Sequence, residues 1–220
     1  MSAASLTSAP HEVRIDRRLG LPAILGVPQT AKGLVIFAHG SGSGRLSPRN
    51  NHVAARLRED GMATLLLDLL TPYEERDRRN VFDIGLLASR LRLAADWAAE
   101  RPETRDLRLC YFGASTGGGA ALRAAADDPR IAAVVSRGGR PDLAGADALS
   151  RVRAPTLLIV GERDGVVIEL NAAAHDAMRC ERKMVIIPGA GHLFEEPGTL
   201  DEVVTHASNW FRHQLGDATW

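Results

Sequence analysis

Short apolar runs recur along the chain at residues 34–38, 63–67, 107–112, 131–135, 156–160 and 183–187, without strict alternation of polar and apolar positions. A strand with one solvated face alternates, so unbroken runs rich in Val, Ile and Leu predict strands covered on both faces. Between the runs, helical periodicity covers 48–59, 81–99, 115–126, 167–178 and 200–214. In the second of these, Ile84, Leu87, Leu91 and Ala95 fall on one stripe and predict a core-facing side. Ser47 followed by Pro48 reads as an N-cap with proline at the first helical position, and Gly61 closes that segment. Strands alternating with helices predict an α/β class, a mostly parallel, doubly wound sheet with helices on both faces. Val13, Ile15, Ile24 and Val27 predict an antiparallel edge pair ahead of it.

Length and charge narrow the reading. At 220 residues, with no repeat and no linker, the chain is expected to form one domain over residues 1–220. The stretch between residues 136 and 156 is too short for a large cap domain. With 27 basic and 27 acidic residues, the balanced charge carries no footprint of a nucleic-acid partner. The basic run at 76–79 is interleaved with Asp77 and follows Glu74 and Glu75, which reads as a solvated connection. No 18 successive residues are apolar and the first ten hold no apolar core, so neither membrane spanning nor secretion is expected. Cys110 and Cys180 lack disulfide or CxxC spacing, which predicts a reducing, cytoplasmic setting. No His, Cys, Asp or Glu cluster has ligand spacing, so neither a metal nor another cofactor is expected.

Chemistry enters where the run 107–112 gives way to a helix, at Gly113-Ala114-Ser115-Thr116-Gly117. A serine on so sharp a turn needs small residues two before and two after it, and this pattern is a nucleophile elbow. The dinucleotide and Walker fingerprints, which also use glycine-rich turns, are not met. A serine hydroxyl is a weak nucleophile at neutral pH and requires a base with a group to orient it. Gly161-Glu162-Arg163-Asp164 and Gly189-Ala190-Gly191-His192 each follow directly on a strand, so a parallel sheet gathers them with Ser115 at one edge. The predicted roles are Ser115 as nucleophile, His192 as general base and Asp164 as its orienting acid, with Glu162 and Asp142 competing for the acid's place. An oxyanion hole is expected from the backbone N–H groups of Ser41 and Thr116, because His39-Gly40-Ser41-Gly42-Ser43-Gly44 leaves the first core strand at the same edge. His39 is expected to hold that loop, and Arg45 to be solvated.

These residues resemble the α/β hydrolases, and within them the small dienelactone-hydrolase-like enzymes. The resemblance rests on the motifs at 39–44, 113–117, 161–164 and 189–192 and spans residues 20 to 215. It implies an α/β-hydrolase fold without a large cap. Dienelactone hydrolases proper carry cysteine at the nucleophile position, where this chain has Ser115; serine implies a carboxylesterase-like activity on a small-molecule ester. Cys110, on the preceding strand, is expected to be core. Thioester or lactone hydrolysis is the alternative within catalysis. A non-catalytic small-molecule binding protein on the same fold is the alternative outside it.

Overall fold

In the computed structural model, which describes residues 9–216, every strand of the central sheet is explained by where its two side-chain faces go. The strands are β1 (His11–Ile15), β2 (Leu21–Gly26), β3 (Gly33–Ala38), β4 (Ala63–Leu67), β5 (Arg108–Ala114), β6 (Ile131–Arg137), β7 (Thr156–Gly161) and β8 (Arg182–Ile187). On β3, Leu34, Ile36 and Ala38 enter one core while Val35 and Phe37 enter the other. On β5, Leu109 and Tyr111 divide from Cys110 and Phe112 in the same way. Side chains alternate across a sheet, so an unbroken apolar run is what two buried faces demand. Phe37 and Phe112 meet with ring centroids 5.0 Å apart, tilted by 35°.

The sheet runs in the order β1-β2-β4-β3-β5-β6-β7-β8. The edge pair is antiparallel, β2 joins β4 antiparallel, and every later neighbour is parallel. The helices are α1 (Pro48–Glu59), α2 (Arg78–Val81), α3 (Ile84–Ala99), α4 (Thr116–Ala126), α5 (Ala146–Arg151), α6 (Gly165–Ala177) and α7 (Thr199–Gln214). α1 and α7 cover one face, whereas α3 to α6 cover the other. This is the α/β-hydrolase arrangement, with no large cap among the described residues. No helix there is long and apolar enough to cross a membrane.

Several boundaries moved, each for a local reason. The helix expected at 81–99 begins at Ile84, because the Asp83 side chain accepts the Leu86 N–H and caps it. Ahead of it, the expected solvated connection is partly helical, a 3-10 turn at Glu74–Arg76 followed by α2 with Asp77 as its N-cap. The last run is not covered on both faces. β8 lies at the sheet edge with half of its residues half-buried and Lys183 and Ile186 exposed, since no further strand flanks it. Ser47 does cap α1, accepting the Asn50 N–H with Pro48 in the first turn.

Candidate active site

Ser115 stands between β5 and α4 at φ 51°, one of the few non-glycine residues with positive φ among those described. Such a conformation persists only where the surroundings impose it. Here they do. A Cβ on Gly117 would lie 2.1 Å from the Ala38 carbonyl oxygen, and one on Gly113 would lie 2.5 Å from that of Gly117. The small residues flanking the serine are therefore forced by backbone packed against backbone.

Asp164 occupies the N-cap position of α6, directly after β7, yet its carboxylate caps nothing. It accepts a hydrogen bond from His192 Nδ1 at 2.5 Å instead. The carboxylate is mostly buried, and the imidazole is partly open to solvent. Both alternative acids are engaged elsewhere: Glu162 accepts the Gly189 N–H at 2.7 Å, and Asp142 takes both arms of Arg140. The loop carrying His192 is held from several sides. Arg163 N–H donates to Ala190 O, and the Gly191 N–H donates to Glu196, which holds that carboxyl below its usual range. β6 ties serine to histidine. Ser115 N–H donates to Arg137 O, and a Cβ on the next residue, Gly138, would lie 3.6 Å from His192 Nδ1.

The loop after β3 closes the other side of the serine; a Cβ on Gly40 would come within 3.8 Å of Ser115 Oγ. Among the described residues, neither Ser41 N–H nor Thr116 N–H meets a protein acceptor. Both residues line a cavity of about 300 Å³ with His39, Leu70, Glu75, Val81 and Leu87. That volume sits at the lower end for small-molecule sites. Arg45 is not solvated as expected. Its side chain is paired with Asp68 at 2.6 Å and reaches Glu12 at 3.4 Å, because Asp68 also accepts its N–H.

His39 is buried, and its Nε2 accepts the Leu69 N–H at 3.1 Å, which leaves Nδ1–H to donate to Gly40 O at 3.0 Å. The neutral ring thereby ties the loop after β3 to the end of β4. Burial pushes its pKa below the ordinary 6.5. As pH falls through that interval the unfolded chain binds a proton that the folded chain refuses, so stability declines, by up to about 1.4 kcal/mol per pH unit for one group. His206, lowered by burial and by Lys183, has the same sign. Melting temperature is expected to drop from about pH 7 to about pH 5, and less steeply in His39→Asn. A slope unchanged by that substitution would contradict the assignment.

Two features of the site had no signal that sequence reading used. Arg137, at the end of β6, is 8% exposed and lacks a carboxylate partner; burial, then Arg49, lowers its pKa to about 10. Its guanidinium lies 5.9 Å from the ring of Phe194, itself at φ 55° just beyond His192. Glu75 lies in the cavity wall. Cys110 is buried and its thiol is pushed up to about 12, too high for a nucleophile. Among the described residues no group of three or more His, Cys, Asp or Glu could hold a metal ion.

Comparison with known proteins adds relatives. A family model described as an alpha/beta hydrolase domain matches residues 31–214. The crystal structure of a dienelactone hydrolase from Anabaena variabilis is 55% identical, with a TM-score of 0.89 over 93% of this chain and 98% of that one. Est1E from Butyrivibrio proteoclasticus, 18% identical over 93% of this chain and 98% of its own, shares the fold with a TM-score of 0.79. A Mycobacterium tuberculosis protein, provisionally named a phosphoribosyl transferase in two strains, is 60% identical over 193 residues, or 87% of this chain. The chain spans 43% of the length of those relatives.

Proposed function

Because the chain belongs to the α/β-hydrolase family, as a dienelactone-hydrolase-like member, we propose that it is a serine hydrolase cleaving carboxylic esters of small or short-chain substrates. The observation that carries this reading is the His192 Nδ1 to Asp164 hydrogen bond, formed at the sheet edge where Ser115 is held on a strained turn. In the proposed reaction Ser115 Oγ attacks the ester carbonyl carbon while His192 Nε2 takes its proton. Asp164 keeps the imidazole in the tautomer that can accept it and stabilises the imidazolium. The oxyanion is received by the N–H groups of Ser41 and Thr116, the latter at the positive end of α4. Collapse expels the alcohol, protonated by His192, and leaves Ser115 acylated. Water, deprotonated by the same imidazole, releases the acid and restores the serine.

Serine rather than cysteine at the elbow supports ester over dienelactone as substrate; thioesters and other lactones would pass through the same steps. We place the phosphoribosyl transferase activity in the name of the longer relatives outside the site described here, whose parts are those of acyl transfer. The free thiols of Cys110 and Cys180 support a reducing, cytoplasmic setting. A fluorophosphonate probe is expected to label the folded protein once, on Ser115, as read by peptide mass. Folded protein that remains unlabelled would instead favour a small-molecule binding role on this fold.

A further inference from the structure

Part of the cavity wall comes from the segment between β4 and α3, whose carboxylates are unevenly matched. Glu74 is fully engaged: its carboxylate accepts the Thr71 N–H at 2.8 Å and pairs with Arg90 at 2.6 Å. Asp77 takes Arg79 at 2.7 Å. Across the loop, Asp68 takes Arg45. Glu75 differs, because no hydrogen bond or ion pair among the described residues reaches its carboxylate, although it lines the same cavity as Ser41 and Thr116. Its charge is felt by His39, which lines the same cavity. Burial holds that ring neutral, against the opposing pull of its bond to Gly40 O and of the nearby Asp68 and Glu75 carboxylates, so it supplies no compensating charge. Beside Glu75 the lining is apolar, from Leu70, Val81 and Leu87.

A small cavity of mixed lining, with an exposed, unpaired carboxylate and the apolar Leu70, Val81 and Leu87 in its wall, favours a ligand of matching chemistry: a short hydrocarbon spacer ending in positive charge. From this we infer that the preferred substrates are cationic esters, with the ammonium group seated against Glu75 and the ester carbonyl at Ser41 and Thr116. The inference rests on the esterase reading of the site. It also predicts the converse, that esters bearing a carboxylate at the same distance are disfavoured by repulsion. Two ends of an ester can reach the cavity, so the charge is tested on each.

The experiment compares isosteric pairs: choline butyrate against 3,3-dimethylbutyl butyrate, and the nitrophenyl ester of 4-(trimethylammonio)butyrate against that of 5,5-dimethylhexanoate. In one of the pairs the cationic member is expected to have the higher kcat/KM by about fivefold, the scale of an exposed ion pair. Glu75→Gln should bring that ratio close to one, and Glu75→Lys should invert it. Equal rates within both pairs, or a ratio that survives Glu75→Gln, would overturn the inference while leaving the esterase reading intact. Failure of every ester would overturn the esterase reading. The corresponding non-hydrolysable amides, titrated by calorimetry, judge the carboxylate independently of turnover: a cationic amide bound no more tightly than its neutral isostere rules the inference out.

Discussion

Ser115→Ala is expected to lower kcat for a short-chain nitrophenyl ester by about a millionfold, the scale seen when the nucleophile of a serine hydrolase is removed. In the proposed mechanism the loss is so large because the hydroxyl oxygen forms the covalent intermediate, and no neighbouring group can replace it. Cys110 is buried behind it with its thiol pushed up to about 12. A residual rate above that in water is expected to persist, since the oxyanion donors and the cavity are untouched. Stability separates this loss from unfolding. Holding a non-glycine residue at φ 51° costs on the order of 1–3 kcal/mol, whereas glycine in its place costs about 0.5–1 kcal/mol of unfolded-state entropy. The first exceeds the second, so Ser115→Gly is expected to be inactive yet at least as stable as the native chain. Thermal denaturation of both variants beside their turnover checks the pair; an active Ser115→Ala would remove the mechanism.

Asp164→Asn is expected to lower kcat by about ten-thousandfold, with the protein still folded. The 2.5 Å bond from His192 Nδ1 leaves Nε2 unprotonated and able to accept the serine proton. An amide can present its NH₂ to Nδ1, which moves the imidazole proton to Nε2 and points the wrong atom at Ser115. The substituted residue also no longer stabilises the imidazolium. Two parallel variants make the comparison decisive. Asp142→Asn disturbs an ion pair with Arg140 and is expected to remain within about fivefold of the native rate, as partly exposed pairs are worth up to about 1 kcal/mol. Glu162→Gln loosens one bond to Gly189 and should fall far short of the Asp164 effect. A loss at either position as large as that at Asp164 would reassign the acid.

Much of this architecture is legible before any coordinates. The strands declare themselves because burial on two faces excludes polar residues from both parities, and the elbow declares itself because only glycine fits beside Ala38 and Gly117. Order along the chain then brings Ser115, Asp164 and His192 to one edge, since a parallel sheet leaves all its exit loops on the same side. Local chemistry accounts for the smaller errors. Asp83 competes for the start of α3 through a cap, and α5 is too short to show a period.

What sequence alone determined, then, was the α/β layering, together with a candidate nucleophile and a small set of candidate acids beside it. Tertiary structure showed which of those acids His192 contacts. Position along the chain favoured Asp164 over Glu162 and Asp142, but contact with His192 is a property of folded loops. The structure also revealed that Arg45 is neutralised by Asp68, that Arg137 is buried near Phe194, and that the Glu75 carboxylate in the cavity wall has no ion-pair partner among the described residues. Pairing and desolvation depend on what lies within a few ångströms, and most of those neighbours are distant in sequence. The fold could therefore be read from the spacing of apolar residues, whereas the electrostatics of its cavity had to be seen.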